Sequence, residues 1–365
     1  MENPYENLDR HAFWSAGVAG SSPLMLRGIY RKKWALSADD KIATAGSCFA
    51  QHISRYMRAE NYNVLDLEPS PQWIASTGTS SLDHTSLDQK TAQKFGYRMY
   101  SARFGNIYTV HQLLQLLQEA FDIWHPKEAI WEKDGRYFDA LRPSVEPRGL
   151  DSKAEVEIHR KAHLAKVRAM FLSMDVFVFT LGLTEAWVHK SSGTIYPTAP
   201  GTIAGSFDSD VFAFKNFGFV EIMDAFVEFE KLLRKVRKTS SPVRILLTVS
   251  PVPLTATAAN RHVLQSTIYS KSVLRAVTGE LEEKFPNIDY FPSFEIVTNP
   301  ASRGIFYNEN LRTVRDEGVE IVMKHFFDVH GKLKKCDKGK AGETTAKFDT
   351  MDPQCEEYLL EQFKP

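Results

Sequence analysis

The stretch from Lys41 to Met57, Lys-Ile-Ala-Thr-Ala-Gly-Ser-Cys-Phe-Ala-Gln-His-Ile-Ser-Arg-Tyr-Met, predicts a buried strand, a sharp glycine turn and a helix. Residues 42–45 are small or β-branched, as in a buried strand, and the apolar residues after the turn recur at helical spacing. The pattern changes from strand-like to helix-like at Gly46-Ser47. We therefore expect Ser47 to lie between the carboxyl end of a strand and the first turn of a helix.

A serine at this position has two interpretations. Its side chain can point into the crevice at the edge of the sheet, beside unpaired backbone N–H groups of the kind that hold an oxyanion. It can also act as a helix N-cap, accepting a hydrogen bond from the first helical turn. These residues alone leave Ser47 open to both interpretations.

The rest of the chain alternates strand-like and helix-like segments. Such alternation is typical of a doubly wound, mostly parallel α/β sheet with right-handed crossovers, and the strand-turn-strand patterns at 130–138 and 189–196 add hairpin insertions to it. Further strands are predicted at 62–67, 175–181, 243–249 and 288–291, and helices at 110–121, 152–173, 219–237, 263–285 and 316–327.

We divide the sequence into three regions. Residues 1–40 form an aromatic-rich lead-in that we expect to pack on the core, and residues 41–327 form the α/β domain. Residues 328–365 are polar and rich in lysine, which predicts a flexible tail with a short terminal helix.

Composition argues against several classes of protein. Equal counts of 45 basic and 45 acidic residues give no overall attraction to nucleic acid or to an anionic membrane. No apolar run is long enough to span a bilayer and the amino terminus lacks a signal-peptide pattern, so we expect a cytoplasmic protein without nucleic-acid or membrane partners.

The cysteine and histidine patterns do not predict a metal or cofactor site. The three cysteines, at 48, 336 and 355, are too scattered for a disulfide framework or a zinc site. His159 and His163 lie four apart on a predicted helix, but no carboxylate or thiol pattern accompanies them. We expect neither metal nor cofactor.

Several sequence blocks resemble the GSCFA family, which belongs to the SGNH (GDSL-like) ester hydrolase group. Gly46-Ser-Cys-Phe-Ala50 spells the family motif, and residues 179–187, 248–253 and 290–295 resemble further blocks in the same order. The resemblance covers residues 40 to 327 and implies a three-layer α/β/α fold with ester chemistry at Ser47.

The resemblance also implies an oxyanion hole. In such enzymes the N–H of the serine, the N–H of a glycine in a second block and an asparagine amide hold the oxyanion. Here these positions correspond to Ser47, Gly105 and Thr184, although Gly105 can equally be a simple turn glycine. A threonine hydroxyl in place of the amide can still donate one hydrogen bond.

Other residues at the same edge of the sheet are candidates for substrate binding. Asn106 follows the block glycine, and Gly182 and Glu185 follow a predicted strand. Arg303 and Arg312 lie in a loop after the last predicted strand, where they suit an anionic group such as a carboxylate, sulfate or phosphate. Each arginine can also be merely solvated.

The sequence departs from the family where a general base is expected. Asn310 and Thr313 stand in place of the usual Asp-x-x-His pair, and a serine without a base is a poor nucleophile. His262, at the end of a long loop after a neighbouring strand, is our candidate replacement, and the alternative is a surface or helix-capping role. Cys48 is a rival nucleophile in principle, but the family pattern favours Ser47.

We therefore expect a serine ester hydrolase or O-acyltransferase acting on O-acyl (acetyl) groups of a carbohydrate. Its partner would be a small-molecule or glycan ester. The alternative, which the missing Asp-x-x-His supports, is a catalytically silent member that binds a glycan or a protein in the same crevice. The sequence does not determine the direction of the reaction or the oligomeric state.

Overall fold

The computed structural model describes residues 3–71, 91–238, 242–331 and 355–364. Its centre is a four-stranded, all-parallel sheet with strand order β1-β4-β8-β9. These strands are β1 (Ile42–Gly46), β4 (Val176–Leu181), β8 (Arg244–Val249) and β9 (Ile288–Tyr290). The α/β prediction is confirmed.

The remaining elements surround this sheet. The longer helices are α1 (Phe49–Ala59), α2 (Val110–Ala120), α3 (Lys153–Ser173), α4 (Phe219–Arg237), α5 (Val263–Lys284), α6 (Ser293–Thr298) and α7 (Asp316–His330). The other strands are β2 (Ile130–Lys133), β3 (Arg136–Asp139), β5 (Glu185–His189), β6 (Ile195–Tyr196) and β7 (Phe212–Asn216). β2 and β3 form the predicted hairpin, and β5 lies between β6 and β7 in an antiparallel sheet.

Alternating side chains on β4 show the two faces of the sheet. Phe177 and Phe179 belong to a core that also contains apolar residues of α2 to α5. Val176 and Val178 belong to a second core with residues of α1, α6 and α7. Helices therefore cover both faces, as in a three-layer α/β/α arrangement.

Two strand predictions need correction. Residues 62–67 form only an isolated bridge, between Val64 and Ile42, instead of a strand. The pattern at 189–196 is part of a larger sheet, in which β7 (Phe212–Asn216) was not predicted. From β1 the chain passes first to Val64 on one side of the strand and later to β4 on the other side. In α/β sheets, ligands bind in the crevice that opens where the chain changes direction in this way.

Both ends of the chain contact the domain. In the lead-in, Leu26 and Tyr30 are buried, and the Leu26 N–H donates to His325 Nε2 at 3.0 Å. Residues 355–364, here called the C-terminal segment, contain the expected short helix, a 3₁₀ helix at Glu356–Phe363. Contrary to the expected solvated tail, Cys355 and Glu356 are buried. Among the described helices, none has the length and apolar character needed to cross a bilayer.

Candidate active site

Ser47 lies directly after β1, at a turn that only glycine permits. Gly46 has φ +137°, and a Cβ added to it would lie 2.4 Å from the carbonyl oxygen of Thr180 on β4. The Ser47 N–H then donates to the same carbonyl at 3.1 Å. The close approach of β1 and β4 thus fixes the serine at the carboxyl edge of the sheet.

The Ser47 hydroxyl faces a small closed cavity. The residue is 2% exposed, and its Oγ has no hydrogen-bond partner within the described part of the chain. It therefore does not act as a side-chain N-cap. The cavity, of about 10 Å³, holds roughly one water molecule and is lined also by Cys48, Tyr108, Lys271 and Glu357.

Lys271 is a buried amine in this cavity. It extends from α5 and donates from Nζ to the Gly182 carbonyl oxygen at 2.6 Å. Gly182 is itself next to the serine, since a Cβ on Gly182 would lie 3.0 Å from Ser47 Cβ. Burial lowers the pKa of Lys271 to about 8, although the Glu357 carboxylate opposes the shift. The lowered pKa raises the fraction of neutral amine near neutral pH, although the protonated form still predominates at pH 7.

The C-terminal segment closes the cavity with a carboxylate. Glu357 Oε2 accepts a hydrogen bond from Arg312 Nη2 at 2.8 Å, and the Arg312 guanidinium lies 4.7 Å from the centre of the Tyr358 ring. Burial raises the pKa of Glu357, and the charges of Arg312 and Lys271 oppose this. The segment thus provides an acidic group at the edge of the sheet.

The neighbouring residue, Glu356, anchors the segment. Its carboxylate accepts hydrogen bonds from the Tyr108 hydroxyl at 2.7 Å, the Ser144 hydroxyl at 2.5 Å and the Asn106 amide. Asn106 Oδ1 in turn accepts from the Tyr100 hydroxyl at 2.5 Å. Asn106 therefore binds the protein's own C-terminal segment in this conformation.

Cys48 is a weak competitor for the nucleophile's role. Its thiol is hydrogen-bonded to Cys355, and this contact together with burial raises the pKa of Cys48 well above its ordinary value. The same contact lowers the pKa of Cys355. Since the thiolate is the reactive form, Cys48 stays unreactive at neutral pH.

None of the three predicted oxyanion donors is available as expected. The Ser47 N–H is bonded to Thr180, and the Thr184 hydroxyl donates to Asn216 Oδ1 at 2.6 Å. Gly105 lies beside the Glu356 carboxylate and does not line the cavity. The N–H groups of Cys48 and Phe49, at the start of α1, have no acceptor among the described residues.

The predicted substrate-binding residues are only partly brought together. Gly182 lines the Ser47 cavity, and Arg312 reaches the Glu357 carboxylate that closes it. Glu185 accepts from the Thr257 hydroxyl at 2.7 Å and lines an adjacent cavity of about 200 Å³. Arg303 is exposed and lines neither cavity.

The structure does not bring His262 to the serine. The imidazole is exposed at the N-cap of α5, where Nδ1 accepts from the Leu264 N–H at 3.1 Å, and it does not line the Ser47 cavity. Asn310 and Thr313 bond to each other at 2.9 Å and close a turn. The long loop before α5 therefore ends at a capping residue instead of a base.

Sequence reasoning missed the residues that do surround the serine. Lys271 had a detectable signal, because it shares the buried stripe of α5 with Thr267, Leu274 and Thr278, at spacings of four, three and seven residues respectively. A lysine on such a face needs a partner or a function. Glu356 and Glu357 had no comparable local signal.

Comparison with known proteins gives one match. The model of the GSCFA family matches residues 41–326. No curated protein and no solved structure matches significantly. The matched region contains the Gly46-Ser47 turn, Lys271 and Arg312, and it covers most of the sequence. The chain belongs to the GSCFA family.

Proposed function

We propose that this protein is an SGNH-type serine ester hydrolase or O-acyltransferase, with Ser47 as its nucleophile and an O-acyl carbohydrate, such as an acetylated glycan, as its substrate. One observation carries the proposal. The buried Ser47 hydroxyl has no partner among the described residues and shares its cavity with Lys271, whose pKa burial lowers to about 8. A serine paired with a neutral lysine is a known variant of the acyl-transfer catalytic apparatus.

In the proposed mechanism, neutral Lys271 accepts the proton from Ser47 Oγ as the oxygen attacks the acyl carbon. The negative charge that develops on the acyl oxygen is held by the N–H groups of Cys48 and Phe49 in the first turn of α1. The ester C–O bond breaks, and the Lys271 ammonium returns the proton to the leaving alcohol. Neutral Lys271 then takes the proton of a water or an acceptor hydroxyl as its oxygen attacks the acyl-serine. The acyl–Oγ bond breaks and the Lys271 ammonium returns the proton to Ser47 Oγ, which gives hydrolysis or transfer respectively.

Substrate access requires movement, because the Ser47 cavity has room for little more than one water. The adjacent cavity of about 200 Å³ shares Leu183, Leu254 and Glu357 with it and includes Trp187 and Phe214. Displacement of Glu357 would join the two. The larger cavity then supplies an aromatic surface of the kind that suits a sugar or an acyl group.

Two observations favour the alternative of a catalytically silent binding protein. The Ser47 N–H is engaged with Thr180, and the residues that line the Ser47 cavity include no imidazole. In this alternative the crevice binds a glycan or a protein without acyl transfer.

Hydrolysis of 4-nitrophenyl acetate distinguishes the proposed acyl-transfer enzyme from the silent binding protein. We expect Ser47→Ala to lower kcat/KM by at least about 100-fold, as for loss of a nucleophile. His262→Ala is the matched control, and we expect it to keep the wild-type rate because His262 is exposed and does not line the cavity. Equal, near-background rates for the wild type and Ser47→Ala would support the silent protein.

A further inference from the structure

We propose that the place occupied by Glu357 is a binding site for a carboxylate of the substrate, and that the C-terminal segment fills this site until the substrate displaces it. The inference rests on the proposed ester chemistry for the identity of the ligand as a substrate. It adds the substrate's chemical class, an ester that also bears a carboxylate.

The first argument is that the C-terminal segment leaves hydrogen-bond donors of the Arg312 guanidinium unused. This side chain is 8% exposed, and Nη2 donates to Glu357 at 2.8 Å. Its Nε and Nη1 are buried without a partner in the described ranges. A guanidinium presents a planar fork of donors that matches a carboxylate at two points. The site therefore retains donors that a better-placed carboxylate can use.

The second argument is the charge left when the segment withdraws. Glu357 is the one acidic residue among those that line the Ser47 cavity. Without it, the cavity retains Lys271, and Arg312 loses its carboxylate partner. Leaving a buried cation unpaired is costly, so an external carboxylate is favoured to take the place of Glu357.

The third argument is the way in which the segment is attached. Among the described residues, its backbone–backbone hydrogen bonds stay inside the segment, within the 3₁₀ helix and at its two ends, where the Tyr358 N–H donates to Cys355 and the Lys364 N–H donates to Glu361. Its contacts to the domain are made by side chains, chiefly those of Glu356 and Glu357. Competition for these side-chain contacts can release the segment without disturbing the central sheet.

A carboxylate next to a reacting ester can come from two sources. It can belong to an acidic sugar, as in a uronate, or to the acyl group, as in a dicarboxylic half-ester. Both present the same group to Arg312. Titration with D-glucuronate and with succinate distinguishes the two, since the better ligand identifies the source.

The test is calorimetric titration of full-length proteins with these two acids. We expect Glu357→Gln to bind at least one of them ten or more times more tightly than the wild type, because the internal competitor has lost its charge. Adding Arg312→Gln to this variant should abolish the gain. Equal affinity of the wild type and Glu357→Gln for both acids, or a gain that survives Arg312→Gln, would overturn the proposal.

A second measurement uses the wild type, so the test does not depend on the folding of a variant. Hydrogen exchange in residues 355–364 should rise when succinate or glucuronate is added and stay constant in sodium chloride of equal ionic strength. An exchange rate in residues 355–364 that neither acid changes would count against the inference. Carboxylate binding without ester hydrolysis would reject the proposed function alone, and hydrolysis without carboxylate binding would reject this inference alone.

Discussion

Gly46 and Ser47 show how one backbone contact positions the proposed nucleophile. The φ of +137° at Gly46 lies in a region that other residues avoid, and the Thr180 carbonyl fills the space where a Cβ would lie. This contact fixes the register of β1 against β4, and Ser47 is the next residue. The need for glycine at position 46 therefore positions Ser47 in the site as well as aligning β1 with β4.

We predict that Gly46→Ala lowers the free energy of unfolding by at least about 2 kcal/mol, because strain and a backbone clash coincide. Gly135→Ala is the matched control. Gly135 also has a positive φ, +73°, but nothing lies within 4 Å of its added Cβ, so we expect a cost of only about 1 kcal/mol. Urea unfolding measures both values. Equal costs would show that the contact with Thr180 is unimportant.

For Lys271 we predict how kcat/KM depends on pH. Because the base must be a neutral amine, kcat/KM should rise with pH and level off above about 8, the pKa to which burial lowers Lys271. Lys271→Met should lower kcat/KM by about 100-fold or more. Lys271→Arg should be no better, since a guanidinium keeps its proton.

Lys284→Met is the control for this prediction, because Lys284 lies on the same helix with its side chain 59% exposed. It should leave the rate and its pH dependence unchanged. A Lys271→Met enzyme with the wild-type pH profile would assign the base to another group.

At the scale of elements, the C-terminal segment acts as part of the site although it is remote in sequence. Glu356 bonds to Asn106, 250 residues away, and Glu357 bonds to Arg312. The contacts involve buried, charge-assisted hydrogen bonds, which are stronger than neutral ones. These side chains hold the short 3₁₀ helix against the domain, since no backbone–backbone hydrogen bond joins the segment to the other described residues.

We predict that Glu356→Gln opens this segment locally. Hydrogen exchange at 355–364 should accelerate by at least 10-fold, as expected when charge-assisted bonds worth about 1.5–3 kcal/mol are weakened, while exchange in β1 and β4 stays unchanged. Glu361→Gln, at an exposed position of the same helix, should have no effect. Wild-type protection in Glu356→Gln would show that other contacts hold the segment.

The sequence predicted a feature well when the residues that form it lie close together along the chain. Turn chemistry and periodicity are local, so the β1–α1 unit and the helices from Val110 to Lys284 were predictable. The residues at 62–67 have strand-like side chains, yet only Val64 pairs with the sheet. The docking of Glu356 on Asn106 and the bond of Thr184 to Asn216 depend on partners distant in sequence, which no local pattern encodes.

At the scale of the whole molecule, packing between the layers keeps several buried or half-buried histidines neutral. Burial lowers the pKa of His52 to about 3, and those of His111 and His330 to about 4. In the unfolded chain the same groups titrate near 6.5. Between these values the unfolded state binds more protons, so the stability falls as the pH drops below about 6.5.

We predict that the free energy of unfolding decreases between pH 7 and pH 5.5, with a slope of up to about 1.4 kcal/mol per pH unit for each such histidine. Urea unfolding at several pH values measures the slope. His52→Asn should reduce it, whereas His125→Asn should not, because the His125 side chain is 69% exposed. A slope that His52→Asn leaves unchanged would contradict this assignment.

The most direct test of the central claim, that Ser47 is a nucleophile in a closable site, is labelling with a fluorophosphonate followed by peptide mapping. We predict an adduct on Ser47 in the wild type, faster labelling in Glu356→Gln/Glu357→Gln, and no adduct at this position in Ser47→Ala. An unmodified Ser47 in both the wild type and the double variant, under conditions that label a reference serine hydrolase, would contradict the account.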